Sequence, residues 1–130
     1  LMRRLCASRR IRLETNGSRD LSEVPVEVVK IVDVKTPSSG EEGSFLMENL
    51  AFLTERDELK FVIADRADYD FARTFVKKHL AKPGPVINLS PVRGVMDPAE
   101  LARLILADGH GLRLNMQLHT VLWPEGEPRK

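Results

Sequence analysis

The chain has 130 residues, in which 20 basic residues nearly balance 19 acidic ones and hydrophobic residues make up 42%. A chain of this length is expected to form one domain with a substantial core. The near-neutral charge and the aromatic fraction of 5% lack the basic, stacking surface of a dedicated nucleic-acid binder. Cys6 is the only cysteine, which excludes an internal disulfide and a metal site with several thiolates from this chain.

No run approaches the roughly 18 consecutive apolar residues of a membrane-spanning helix. The opening segment LMRRLCASRR also lacks the apolar stretch of a secretory signal. We therefore expect a cytoplasmic protein with no membrane or nucleic-acid partner. Because the first residue is Leu rather than Met, we also expect that the natural chain starts upstream.

Short apolar runs alternate with amphipathic ones, which predicts β-strands separated by helices. The opening LMRRLCAS segment is typical of the end of a helix. Five strands are predicted, at 11–14, 28–34, 58–64, 85–90 and 112–118. Helices are predicted between them, at 45–53, 68–80 and 97–109. Because helices separate the strands, parallel pairing is expected, in an α/β sheet or a part of a barrel.

The last predicted helix has recognisable ends. Asp97 can cap its first turn, Pro98 suits its first position and Gly109 can end it. The segment at 37–43 is the most loop-like interior stretch. Nothing marks a second domain, so one domain is predicted over 1–123, followed by a flexible tail at 124–130.

Polar side chains gather where the predicted strands end. In parallel α/β folds the loops at the carboxyl ends of the strands bind ligands. The residues concerned are Glu14, Thr15, Asn16, Asp33, Lys35, Thr36, Ser38, Asp65, Ser90, Gln117 and His119, with Lys60 inside the third strand. This set suits a polar ligand with several functional groups. Glu14 can accept hydrogen bonds from ribose hydroxyls, and Lys35 can pair with a carboxylate.

Each of these features also has a purely structural interpretation. The residues around Gly17 can form an Asn-Gly turn, and Asp33 and Lys35 can form an ordinary surface pair. Ser90 before a proline can simply end a strand, and a lone His119 can be structural. Their convergence on one rim favours a binding site. No Walker or dinucleotide glycine loop, HExxH motif or serine elbow is present.

Five segments carry a resemblance to a known family. They are RLETNGS, VVKIVDVKTPSSGE, DELKFVIADRADYDFA, NLSPVRG and LNMQLHT, in this order. Over residues 3–123 the chain closely resembles the C-terminal half of the 7-carboxy-7-deazaguanine synthases, radical S-adenosylmethionine lyases of the queuosine (7-deazapurine) pathway. The ETNG and DVK segments are shared more widely among radical S-adenosylmethionine enzymes, whereas their combination with DELKFVI, SPV and QLH indicates this family.

The resemblance implies the C-terminal part of an incomplete βα barrel, often dimeric. In the family, a [4Fe-4S] cluster cleaves S-adenosylmethionine to give a 5′-deoxyadenosyl radical, which takes a hydrogen from 6-carboxy-5,6,7,8-tetrahydropterin. Magnesium assists the ring contraction to 7-carboxy-7-deazaguanine, with loss of ammonia. The C-terminal position of this segment also implies an open sheet edge, through which we expect self-association.

The resemblance also implies roles for individual residues, by their positions in the motifs. Glu14 and Asn16 match the segment that faces S-adenosylmethionine, with Glu14 as the ribose contact. The next strand and loop, near the methionyl part, hold Asp33, Lys35 and Ser38. Ser90 fits a segment that lines the cofactor. Gln117 and His119 fit the last strand, on the pterin side.

The chain departs from the family in one respect above all. The three cluster cysteines, the Gly-Gly-Glu-Pro segment and the magnesium-site residues of the family have no counterpart in this sequence. The cluster is therefore expected in a full-length parent and not in this chain, which we expect to be inactive alone. Two alternatives stay open: another radical S-adenosylmethionine activase or synthase, and a cluster-free α/β binding module.

Overall fold

Five parallel strands form the centre of the fold, in a computed structural model that describes residues 1–109, 111–117 and 122. The strands are β1 (Arg12–Thr15), β2 (Val29–Asp33), β3 (Glu58–Ile63), β4 (Val86–Pro91) and β5 (Leu112–Leu114). The α-helices are α1 (Met2–Cys6), α2 (Arg66–His79) and α3 (Pro98–Asp108). The α/β class and the parallel βα succession predicted from the sequence are confirmed.

The strands follow one another across the sheet in the order in which they occur along the chain. Every neighbouring pair is parallel, from β1 with β2 to β4 with β5. The crossover helices α2 and α3 contribute Tyr69, Ala72, Phe75 and Leu101 to one core, which they share with alternate strand residues. Both helices therefore cover the same face of the sheet.

Alternation along the strands separates the two faces. In β3, Leu59, Phe61 and Ile63 are fully buried, whereas the residues between them are partly exposed. Ile87 and Leu89 of β4 continue this buried layer. Period-two side chains of a strand lie on opposite faces, so the core uses one face of the sheet and leaves the other for polar groups.

Three of the predicted helices and all five strands are present, and most of their ends shift by one or two residues. The exception is β5, which ends at Leu114 although the strand was predicted to extend to residue 118. Asp97 accepts a hydrogen bond from the backbone of Ala99 at 3.0 Å, Pro98 opens α3 and Gly109 ends it in a left-handed conformation. α2 begins at Arg66, earlier than predicted, because Asp65 caps it by accepting from the backbone N–H of Asp68. The predicted tail at 124–130 and residue 118 of the last predicted strand lie outside the described residues.

The helix predicted at 45–53 is present as a 3-10 helix, Met47–Phe52, and not as an α-helix. Its apolar spacing suits a helix, but so short an α-helix is marginal without tertiary support. Instead, buried Asn49 is used by the neighbouring loop: its side chain accepts from Leu21 N–H at 2.9 Å and donates to Gly17 and Arg19 carbonyls. These bonds hold the segment against the loop after β1.

A buried ion pair lies at the amino-terminal end of the sheet, opposite the carboxyl ends of the strands. Lys30 Nζ is 3.6 Å from Asp57 Oδ2, and both residues are 1% exposed. Asp57 also accepts from the backbone N–H groups of Lys30 and Thr54. Its carboxylate therefore fixes the loop before β3 against β2, which is a structural task.

Among the described residues, no helix is both long and apolar enough to cross a lipid bilayer.

Candidate functional site

A polar cleft of about 600 Å³ lies on the face of the sheet that the helices leave uncovered. Every strand or the loop after it contributes to its walls. The lining residues are Arg12, Glu14, Thr15, Asn16, Ile31, Asp33, Glu58, Lys60, Asn88 and Asn115. The wall thus combines carboxylates, cations and amides with a single aliphatic side chain.

Strand register places these side chains in rows. Glu14 pairs with Ile31 across β1 and β2, whereas Asp33 pairs with Lys60, and Lys60 with Asn88. Residues two apart on a strand share a face. A first row across the sheet therefore consists of Glu14, Ile31 and Glu58. The second row consists of Asp33, Lys60 and Asn88, and it lies closer to the carboxyl ends of the strands.

A tight turn follows β1 at the edge of the cleft. Thr15 Oγ1 accepts from Gly17 N–H at 3.1 Å, and Asn16 Oδ1 accepts from Ser18 N–H at 3.0 Å. Gly17 has φ of +67°, in the left-handed region that favours glycine. The residues around Gly17 therefore form the turn of the structural interpretation, and Glu14, just before it, lines the cleft.

Asp33 and Lys35 form the ion pair that their spacing predicts. Lys35 Nζ donates to Asp33 Oδ2 at 2.7 Å. The other carboxylate oxygen, Asp33 Oδ1, is buried and has no hydrogen-bond partner among the described residues. A buried acceptor without a donor costs free energy, so this atom is a candidate to accept a hydrogen bond from a ligand.

Ser90 presents the same feature on β4. Its Oγ is buried without a hydrogen-bond partner within the described part of the chain, and the residue is 1% exposed. Ser90 pairs with Val62 in the register, two residues beyond Asn88 on the same strand. It therefore lies on the polar face of the sheet, next to the second row.

Ser38 has partners of its own away from the cleft wall. Its backbone N–H donates to Asp68 Oδ1 at 3.0 Å, and its hydroxyl donates to Asp65 Oδ2 at 3.2 Å. Both bonds tie the loop after β2 to the start of α2. In this structure Ser38 is a residue that positions the loop.

The structure says less about Gln117 and His119, the two residues predicted on the pterin side of the site. Gln117 is exposed, in the segment after β5. His119 lies outside the described residues. The structure therefore brings together Glu14, Asn16 and Asp33 at the cleft, with Lys35 paired to the last of these.

Five cleft residues were not picked out from the sequence: the aliphatic Ile31 and the polar Arg12, Glu58, Asn88 and Asn115. Arg12 lies 3.8 Å from Glu58, and Asn88 donates to Glu58 at 3.2 Å, so these residues connect three strands. Spacing was the available signal, because each of the four polar residues lies two positions before a residue that was noted, namely Glu14, Lys60, Ser90 or Gln117. Attention to strand ends alone missed them.

Among the residues that the structure describes, no three His, Cys, Asp or Glu side chains are arranged to hold a metal ion. Cys6 is a free thiol at the end of α1. An iron–sulfur cluster of the usual type takes several thiolates, and this chain has one cysteine. Its own residues do not fit a cluster.

Comparison with known proteins identifies relatives that share most of this sequence. The chain is 47% identical to the 7-carboxy-7-deazaguanine synthase of Koribacter versatilis, over 94% of this chain and 60% of that protein. The enzymes of the same name from Leptospira interrogans and Chlorobaculum tepidum are 38% and 34% identical, over 88% and 85% of this chain. No protein-family model matches the chain.

The matches cover most of this chain but only part of each relative. The chain spans 60%, 49% and 52% of the length of these three relatives. The predicted resemblance to this family is confirmed for the segment that the chain represents.

Proposed function

We propose that this chain, which is similar over nearly its whole length to part of the 7-carboxy-7-deazaguanine synthases, forms one wall of the S-adenosylmethionine and pterin site of such an enzyme. The parent would be a radical S-adenosylmethionine lyase that converts 6-carboxy-5,6,7,8-tetrahydropterin to 7-carboxy-7-deazaguanine, with magnesium. This chain alone would lack that activity, because it contributes one cysteine and no cluster.

The polar cleft is the observation that carries the proposal. An uncovered sheet face could have been apolar, which would favour a protein interface. Instead it carries Glu14 with no side-chain hydrogen bond or ion pair to another described residue, and a buried, unpartnered oxygen on Asp33. Such groups suit a ligand that brings several donors of its own.

The residues present fit S-adenosylmethionine in part. Glu14 would accept hydrogen bonds from the ribose hydroxyls, next to Asn16. Asp33 would accept from the ammonium of the methionyl part, and its partner Lys35 holds the carboxylate in place. Ser90 would add a hydroxyl at the cofactor. When bound, S-adenosylmethionine supplies radical chemistry that this chain's side chains do not perform.

The remaining residues would contact the pterin or position a loop. By their positions in the family's motif, Gln117 and His119 would contact the pterin. Ser38, through Asp65 and Asp68, would fix the loop after β2. We also propose a homodimer, a cytoplasmic location and no nucleic-acid partner.

Reading the coding DNA on both sides of this segment tests the proposal first. An in-frame extension with three closely spaced cysteines and a Gly-Gly-Glu-Pro segment supports it, and anaerobic assay of that longer protein with carboxytetrahydropterin then measures the lyase activity. Turnover of a different substrate would favour another radical enzyme. A stop codon just upstream of Leu1 would contradict the proposal and favour a cluster-free binding module.

A further inference from the structure

Lys60 differs from the other basic residues of the cleft region in having no acidic partner. Arg12 lies 3.8 Å from Glu58, and Lys35 lies 2.7 Å from Asp33. Within the described residues, no ion pair or hydrogen bond engages the Lys60 ammonium, although the residue is only partly exposed and lines the cleft. A partly desolvated ammonium of this kind is stabilised by an anionic partner.

The register places Lys60 at the centre of the cleft wall. It lies between Asp33 on β2 and Asn88 on β4, on the middle strand of the five. The nearest carboxylate in the row, Asp33, has one oxygen engaged by Lys35. The Lys60 ammonium and the side-chain amide of Asn88 thus lie side by side in the cleft wall. The amide is a suitable second donor for the carboxylate of a ligand.

The charges of the wall limit what kind of anion would bind. Three carboxylates, Glu14, Asp33 and Glu58, line the cleft against two cations, Arg12 and Lys60. A dianionic phosphate would meet net repulsion there, and the sequence has no glycine-rich phosphate loop. A carboxylate brings a single negative charge to a single free ammonium.

Glu14 and Lys60 also set the size of the ligand. They lie on β1 and β3, which are separated by one strand, so about 10 Å of sheet lies between the two strands. A ligand that contacts both needs donor groups at one end and an anion at the other. Resting on the proposed function, we infer that Lys60 binds the carboxylate of a bound ligand, either the pterin substrate or the methionyl part of S-adenosylmethionine.

Paired ligands with and without a carboxylate test this inference on the 130-residue chain itself. The pairs are pterin-6-carboxylate with pterin, and S-adenosylmethionine with its decarboxylated form. Amide chemical shifts in NMR titrations up to about 20 mM ligand detect millimolar affinity. The variants are Lys60→Met, which removes the charge, Lys60→Arg, which keeps it, and Lys78→Met as a control on the exposed side of α2.

The expected result is a loss of affinity of about tenfold or more in Lys60→Met, for one carboxylate ligand and not for its carboxylate-free partner. Lys60→Arg should recover part of it, and Lys78→Met should match the parent chain. The affected pair identifies whether the carboxylate belongs to the pterin or to the cofactor. If ligands bind in the cleft equally well with and without Lys60, the inference is wrong while the proposed function stands.

A second probe separates failure of the two proposals. If neither pterins nor S-adenosylmethionine shift the cleft amides, binding of those ligands by this chain is contradicted, and acetate then serves as the probe. Acetate-dependent shifts around Lys60 that disappear in Lys60→Met would support an anion site independent of the proposed function. Absence of such shifts in the parent chain would overturn the inference.

Discussion

A β-carbon added to Gly17 would lie 2.4 Å from Cδ2 of Phe45, closer than real carbon contacts allow. Gly17 also has φ of +67°, so its backbone and its packing both require glycine. The turn that places Glu14 and Asn16 at the cleft is therefore pressed directly against an aromatic residue of the core.

We predict that Gly17→Ala lowers the free energy of unfolding by about 2–4 kcal/mol, because overpacking adds to backbone strain. Gly40→Ala is the matched control: Gly40 has φ of +72° but nothing within 4 Å of an added β-carbon. It should cost about 1 kcal/mol from strain alone. Urea unfolding followed by circular dichroism measures both, and equal losses would show that the contact with Phe45 relaxes freely.

Removal of the buried acid at the other end of the sheet should be among the most damaging changes. Asp57→Ala leaves the Lys30 ammonium buried without its carboxylate, and we expect a loss of about 3–5 kcal/mol in unfolding free energy. The exposed pair of Arg66 and Asp70 provides the comparison. Asp70→Asn should cost at most about 1 kcal/mol, and similar losses for the two variants would contradict a role for burial.

The hydroxyl of Tyr69 connects α2 with α3, because its single proton is shared between the Leu104 carbonyl, at 2.9 Å, and the Asp108 carboxylate. Burial, and then the hydrogen bond and charge of Asp108, raise the pKa of Tyr69 above its ordinary value of 10.0. The folded chain therefore holds this proton more tightly than the unfolded chain. The stability that Tyr69 contributes is complete below pH 10 and is lost as the pH rises above it.

Tyr69→Phe isolates this contribution. At neutral pH the variant should be less stable by about 1–2 kcal/mol, because the hydrogen bond that the hydroxyl shares between Leu104 and Asp108 is lost. Above pH 10 the difference between the variant and the parent chain should shrink. Urea titrations at several pH values between neutrality and pH 11 measure it, and a constant difference would show that the phenol ionises equally in both states.

Glu14→Gln should selectively weaken the proposed ribose contact. The substitution keeps the shape of the side chain and replaces the carboxylate with an amide, so the fold should keep its stability within about 0.5 kcal/mol. Affinity for S-adenosylmethionine, followed by NMR, should fall about tenfold because a charge-assisted hydrogen bond is weakened. Glu41→Gln, in an exposed loop, is the control, and equal effects would argue against a specific contact.

Local patterns predicted most of the fold because each signal concerned nearby residues. The capping of α3 by Asp97 and the short apolar run of β3 depend only on neighbours along the chain, and both were recognisable. The segment around Asn49 was mistaken for an α-helix because its conformation depends on backbone groups of the loop near Gly17, about 30 residues earlier in the chain.

The part of the candidate site that was predictable consists of residues that a local signal, the end of a strand, marks in the sequence. Glu14 and Asp33 stand out at strand ends, whereas Arg12 and Asn88 become site residues only when strand register brings them beside Glu58. Motif position assigned Ser38 to the cofactor, but its bonds to α2 depend on how the loop folds back.

Alternate residues of the same strand have different roles, one set packing in the core and the other lining the cleft. In β3, Leu59 and Phe61 pack against the helices, while Glu58 and Lys60 line the cleft. A substitution at a cleft position leaves the packed layer behind it intact, so ligand preference can change through single mutations at little cost to folding. The same arrangement makes the open face a practical surface for redesign, since each strand offers alternate positions that can be randomised as a set.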